Sequence, residues 1–397
     1  MDQLYVDIMK LVKSGITGEP CEAVSVSDWD KVLKISRVQD LSGIIYRAIR
    51  LSKNNITPPE SFLTALKLQF TNDLRTDRVQ RSELSNLFRT FDEKNIDYLP
   101  LKGIVMKEYY PSPELRFMAD ADILIRQSQY KKIADIVKKA GYSFCEESDY
   151  EIPWRKGLAL LEFHIVVFNP NHTDYSSFFE DAFSMAANIP GTNRYVFEPT
   201  DLLIYSVAHF AKHFVTGGTR LRNLTDIRYL LNEGNADLQK VNDSLEELGL
   251  ADFFSIVLSA IDQWFNGQPF SLESELLFKA MMAESYDEDF DKYYTLGAAR
   301  EFGGHTELSI MNRIRYYLKR LFPPLSFMSR PYHILTKLPF LLPFFWLWRI
   351  IKTSFTGKKH IEQLWNIQVK DTSNAIEQYM DIMKVLHLDQ IAVPEEI

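Results

Sequence analysis

Seven residues constrain the fold of this chain more than any others: Ala119-Asp120-Ala121-Asp122-Ile123-Leu124-Ile125. The run is short, apolar and partly β-branched, which predicts a strand, yet acids occupy alternate positions. Residues i and i+2 of a strand point to the same face, about 6–7 Å apart along the backbone. Two carboxylates placed so repel each other and resist burial unless a cation lies between them. Hard oxygen donors of this kind suit Mg²⁺ or Mn²⁺. Asp-x-Asp by itself also describes a solvated strand face. The apolar neighbours Ala121 and Ile123 to Ile125 argue against a polar loop.

The segments around this run set its context. Residues 1–95 read as helix, with caps at Ser27 to Asp30 and a long amphipathic stretch opened by Pro58-Pro59-Glu60. Its apolar positions, from Leu63 and Leu66 to Phe88 and Phe91, recur at spacings of three and four. Near residue 96 the texture changes. Ile96 to Leu101 predicts a strand, Ile104 to Tyr110 a short helix stopped by Pro111, and Gln127 to Ala140 an amphipathic helix closed by Gly141. Tyr142 to Cys145 and Leu160 to Phe168 predict further strands. The implied fold class is α+β: a small mixed-sheet core at 96–198, an N-terminal helical region at 1–95, a helical domain at 199–290 and a C-terminal helical region at 291–397. Helices are expected over 201–214, 222–231, 237–248, 252–265 and 359–388.

Composition excludes several function classes. With 45 Lys+Arg against 53 Asp+Glu the formal charge is −8, which argues against coating a nucleic-acid backbone. Two cysteines, Cys21 and Cys145, cannot build a disulfide framework or a Cys-rich zinc site. The first residues lack the basic start and apolar stretch of a signal peptide, so a cytoplasmic place is expected. The longest apolar run, Leu338 to Trp348, spans about 16 Å as a helix, half a bilayer core, and Pro339 and Pro343 interrupt it. It is not expected to cross a membrane.

Glu162 is the second chemical feature. It shares one face with His164 in an otherwise apolar strand, where an acid needs a partner, a metal or an exposed edge. Three carboxylates on adjacent strands could hold two divalent ions about 3.5–4 Å apart, the arrangement used for in-line displacement at phosphorus. Lys102-Gly103 follows the first strand; glycine there lets backbone approach a phosphate, or simply makes a turn. His209 and His213 lie one helical turn apart, without an evident third ligand. Arg222 and Asp226 have the spacing of a helical ion pair.

Together these residues resemble the DNA polymerase β-like nucleotidyltransferase superfamily and, within it, the bacterial family of uncharacterised nucleotidyltransferases. The resemblance rests on Leu101-Lys102-Gly103, Tyr110-Pro111, Arg116-x-x-x-Asp120-x-Asp122-Ile123-Leu124-Ile125, Gly141-Tyr142 and Leu161-Glu162-Phe163-His164, then His209-x-x-x-His213 and Arg222-x-x-x-Asp226. It implies a magnesium-dependent enzyme, Mg²⁺ or Mn²⁺ serving as two ions, that moves a nucleoside monophosphate from an NTP such as ATP to an acceptor and releases pyrophosphate. In that reading Asp120, Asp122 and Glu162 are catalytic and hold the metals. Lys102, Gly103, Arg116, Arg222 and Asp226 bind the nucleotide. The departure from the superfamily pattern is Ile104, where a second small residue usually follows the glycine.

Two alternatives accompany this reading. One is nucleotide binding or an assembly role on the same fold without catalysis, motivated by Ile104. The other is peripheral membrane contact, as a partner of an envelope-polysaccharide system, through the basic and aromatic segment 313–352. The acceptor, whether small molecule, protein or nucleic acid, is not identified by any residue pattern.

Overall fold

The computed structural model describes residues 1–53, 55–145, 151–168, 175–216 and 219–282, then 318, 322–323, 325–328, 332, 334–356 and 380–389. Four helices open the chain: α1 (Gln3–Thr17), α2 (Trp29–Val38), α3 (Ser42–Leu51) and α4 (Glu60–Glu93). Asp2 and Asp28 cap the first two by accepting from the backbone N–H groups of Leu4 and Lys31, and Gly18 ends α1 in the left-handed region. The 34 residues of α4 make it about 50 Å long, enough to join two layers. Its first half buries Phe62 and Leu66 among the N-terminal helices. Its second half lays Leu84, Leu87 and Phe91 on the sheet.

The sheet follows. In chain order come β1 (Tyr98–Pro100), the short helix α5 (Gly103–Met106), β2 (Ala121–Ile125), α6 (Tyr130–Lys139), β3 (Ser143–Phe144), β4 (Glu151–Lys156) and β5 (Ala159–His164). Spatial order is β1-β2-β5-β4-β3. Only β2 and β5 run parallel; the remaining pairs are antiparallel, so the sheet is mixed as expected. The strand expected over Leu160 to Phe168 stops at His164, and β4 is a strand that the sequence pattern did not predict. β2 begins at Ala121, which leaves Asp120 one residue ahead of the strand.

Alternation sorts the sheet residues. Ala121, Ile123, Ile125, Leu161 and Phe163 join α4 and α6 in one apolar layer. The opposite face, with Leu99 and Leu124, joins a larger core that includes both the N-terminal helices and those after residue 198. Between them lie two one-turn helices, α7 (Tyr175–Phe178) and α8 (Ala182–Met185), and a small ribbon of β6 (Ala187–Asn188) and β7 (Tyr195–Val196). Then come α9 (Pro199–Thr216), α10 (Leu221–Glu233), α11 (Leu238–Glu247), α12 (Ala251–Asn266) and α13 (Leu272–Met282). Four of these match the expected spans to within two residues at each end. Buried hydrogen bonds stitch this half to the N-terminal helices: Trp264 donates its indole N–H to the Met9 carbonyl, and the Gln39 amide spans Met281 and Leu221.

Beyond residue 282 the described residues include a helix over Leu342–Thr356, on which Phe344, Leu347 and Trp348 are exposed. Among the described residues no helix is long and apolar enough to cross a membrane. Arg313, Arg315 and most of the helix expected over 359–388 lie outside the described residues.

Candidate functional site

The site grows from the parallel pair of strands. Register sets Asp122 of β2 beside Glu162 of β5, and the two-residue period puts His164 on the same face. That face looks toward the helical layer rather than toward α4. Among the described residues, donor atoms of Asp122, Glu162 and His164 all lie within 4.8 Å of one another. Asp122 and His164 are buried, with His164 Nε2 2.7 Å from Asp122 Oδ1. Asp120 and Glu162 are half-buried.

Lys102 enters from the turn after β1. Its ammonium donates to Asp122 Oδ1 at 2.6 Å. To do so its backbone adopts φ 46°, ψ −121°, a region that side chains rarely visit and that costs about 1–3 kcal/mol. Strain of this kind persists only where surrounding structure enforces it. Here the enforcing contacts include the bond from Leu101 N–H to the Asp122 carbonyl, which ties the turn to β2. Gly103 follows for a packing reason: a Cβ there would come within 2.7 Å of Met118 Cγ and 2.9 Å of an Arg116 guanidinium nitrogen.

The electrostatics are lopsided. Burial and the charges of Asp120, Asp122 and Glu151 push the Glu162 carboxyl up to about 8, with Lys102 opposing. Burial and Asp122 also raise Asp120. Asp122 alone goes the other way: burial would raise it, but Lys102 and His164 hold it below the usual carboxylate range. Three acids thus crowd one ammonium. The chemistry of that donor set fits a divalent cation, whose charge would relieve the repulsion that Glu162 and Asp120 display.

A second group of charges lies beside the first. Arg116 donates two hydrogen bonds to Asp226 of α10, at 2.8 and 3.2 Å, and the Tyr110 hydroxyl donates to the same carboxylate at 2.7 Å. Arg222 donates to Asp40 at 2.7 Å. The helical pair expected between Arg222 and Asp226 is therefore not made, because each is held by a residue from another element. Burial and the neighbouring Arg116 pull Arg222 down to about 10. Arg116 and Arg222 both lie close enough to the acids to be felt by Asp120.

The helix α9 walls the site with Tyr205, His209 and His213, one turn apart. The two imidazole Nε2 atoms are 3.0 Å from each other, and the Tyr205 ring lies tilted against His209 with 5.7 Å between ring centroids. Burial, with His213 and Lys102 nearby, holds His209 well below its ordinary range. Neither histidine joins the three-residue cluster on the sheet.

The structure therefore brings Lys102, Asp122 and Glu162 together, keeps Asp120 at their edge, and sets Gly103, Arg116, Arg222 and Asp226 around them. The sequence pattern sets His164 on the face of Glu162 by alternation but gives it no role of its own. It missed Tyr205, which has helical spacing to His209. It also missed Gln80, a buried α4 side chain that donates to the carbonyls of Met118 and Ala119 and so fixes the loop ahead of Asp120. Nothing in a helical pattern singles out that glutamine.

Comparison with known proteins adds three findings. No curated protein matches the chain significantly. Among solved structures, the solution structure of an antibiotic-resistance factor, ANT(2'')-Ia, shares 14% identity and a TM-score of 0.33, over 48% of this chain and 99% of its own. A likeness that loose says nothing about the site. The sequence profile of a family described as uncharacterised nucleotidyltransferase matches residues 25–266, more than half of the chain and all of the elements that form the site, and the chain belongs to that family.

Proposed function

We propose that this protein transfers a nucleoside monophosphate from a nucleoside triphosphate to an acceptor, with pyrophosphate leaving. The observation that carries the reading is the register pairing of Asp122 with Glu162 on one sheet face, with Asp120 beside them and a strained Lys102 aimed among them. In the reaction an acceptor oxygen bonds to the α-phosphorus while the bond from that phosphorus to pyrophosphate breaks. Asp120, Asp122 and Glu162 would hold the Mg²⁺ or Mn²⁺ ions, and such ions supply positive charge against the charge that builds on the phosphoryl and leaving groups. Glu162, as a ligand of the ion on the acceptor side, would also assist in taking the acceptor's proton. Lys102 and Arg222, whose charges both act on Asp120, would be cations for the triphosphate. Gly103 lets the turn after β1 pack against Met118 and Arg116, and Arg116 with Asp226 holds the loop before Asp120 in place.

The test is direct. The full chain is incubated with each α-labelled NTP, Mg²⁺ or Mn²⁺, and a cell lysate as acceptor source. A labelled product with matching pyrophosphate is expected, and the Asp120→Asn, Asp122→Asn double variant should lose it by about 10³-fold or more while staying folded. Transfer by that variant at the wild-type rate would sink the assignment.

A second reading, nucleotide binding without transfer, draws on Lys102. Its ammonium already neutralises Asp122, and Ile104 stands where a small residue is usual. Tight NTP binding with no pyrophosphate across a broad acceptor screen would favour it.

A further inference from the structure

We propose that Asp122, Glu162 and His164 form a mixed oxygen–nitrogen metal site that selects a first-row transition ion such as Mn²⁺ over Mg²⁺. The inference deepens the transfer reading by naming the ion, but it does not depend on turnover. Its basis is the donor set. Carboxylates alone suit Mg²⁺, whereas an imidazole nitrogen is a softer ligand that favours transition ions. His164 Nε2 and Asp122 Oδ1 are 2.7 Å apart, and all three donors fall within 4.8 Å of one another. Two ligands of one ion, each about 2.1 Å from it, sit about 3 Å apart at right angles and about 4.2 Å apart when opposite. The 2.7 Å contact is a hydrogen bond, shorter than the spacing of two ligands on one ion, and 4.8 Å bounds the widest pair, so the three side chains converge on one point and would seat an ion by rotamer adjustment, with the Lys102 ammonium giving up Asp122 Oδ1.

An independent observation points to a ligand in the same cleft. Tyr205, from the helix across the site, is 2% exposed, and its hydroxyl has no hydrogen-bond partner. Lys102, Asp122 and Glu151 act on that hydroxyl electrostatically, so it lies near the cluster. A buried hydroxyl left unpaired costs about 1–3 kcal/mol in a folded chain unless a ligand or ordered water meets it. The competing role for His164 is to position Asp122 by hydrogen bonding without touching a metal. His164→Gln separates the two roles, because an amide can keep the bond to Asp122 while removing the imidazole nitrogen.

The experiment is pulsed electron paramagnetic resonance on the full chain loaded with one equivalent of Mn²⁺. Echo modulation from a directly bound ¹⁴N is expected in the wild type. It should vanish in His164→Gln, with Mn²⁺ affinity falling about 10-fold to 100-fold. It should persist in the His209→Gln, His213→Gln double variant, which keeps the assignment testable if His164→Gln fails to fold. Zn²⁺ should displace the Mn²⁺ at equal concentration, and Mg²⁺ only at about tenfold excess or more. Mn²⁺ bound without nitrogen modulation, displacement by equimolar Mg²⁺, or no Mn²⁺ bound at all would overturn the inference. The first two results leave nucleotidyl transfer standing. Nitrogen-bound Mn²⁺ with no transfer from any NTP would instead remove the transfer reading and keep the site.

Discussion

Two neighbouring charge clusters in this molecule are built in opposite ways. Around Asp226 every charge is answered: Arg116 makes two bonds to the carboxylate, Tyr110 adds a third, and the Tyr110 hydroxyl also meets Thr225 at 2.7 Å. Around Asp122 they are not. Lys102 satisfies one carboxylate oxygen, while Glu162 and Asp120 are left to repel it and each other. A satisfied buried network holds structure together, here joining the loop before β2 to α10. A buried cluster with surplus negative charge costs stability, and a fold keeps it where chemistry needs it. The contrast supports a positioning role for Arg116 and Asp226 and the reaction role proposed for the three acids.

The largest effect that could break this contrast is in the first cluster. Asp226→Ala leaves the Arg116 guanidinium buried without its partner, and breaking such a pair costs about 3–5 kcal/mol. Urea unfolding of the full chain measures it. A loss under about 1 kcal/mol would mean that Arg116 is free to turn toward an anion, and would return it to the triphosphate.

The second cluster should answer differently. Glu162→Gln is expected to cut transfer by about 10²-fold to 10³-fold, with unfolding free energy unchanged or slightly higher, since it removes an acid from a crowded site. NTP affinity should change much less than the rate if Glu162 has its proposed place on the acceptor side. Equal loss of rate and affinity would place Glu162 with the nucleotide instead. A large loss of stability would make it a structural acid and dissolve the contrast.

How much of this was legible beforehand follows from what each feature depends on. The helices from α9 to α12 depend on local periodicity and caps, which a sequence carries in full. So do β2 and the facing of Asp122. β4 was not legible, because Pro153 interrupts a run whose only buried apolar residues are Ile152 and Trp154. The strand tolerates that proline because the position lends its carbonyl, accepting from Cys145 N–H. The apolar run after His164 read as strand, yet β5 ends there; strand length is decided by its partners, Leu124 and Glu151, which pair with His164 as the last rung. The Arg222–Asp226 spacing looked like a pair because helical geometry permits one. Asp40 and Arg116 outcompete it from elements 182 and 110 positions away in the chain, which no local pattern displays. The acids were visible from their neighbours, whereas the orphan hydroxyl of Tyr205 became visible only once α9 lay across the sheet.

The smallest expected effect concerns the wall opposite both clusters. His213 is held down to about 3 by burial, with Lys212, Lys102 and Arg222 adding repulsion and Asp122 opposing; His209 touches it directly. Its ordinary value is 6.5. Between pH 6.5 and 3 the unfolded chain therefore binds a proton that the folded chain excludes, and stability falls as pH drops through that window. Above it the histidine contributes no pH dependence. His213→Gln removes the titrating group, so the variant should lose stability less steeply than the wild type on going from pH 7 to pH 5, while the two curves run parallel above pH 7. Urea midpoints at half-unit steps give the slopes, and the difference should be modest because the ring is not fully buried and solvent screens part of the penalty. If the slopes coincide, the imidazole reaches water in the folded chain, and α9 stands further from the acids than the Tyr205 and His209 contacts imply. A steeper variant would mean that His213 binds its proton on folding, with Asp122 as the partner, and would move the histidine from the wall into the acid cluster.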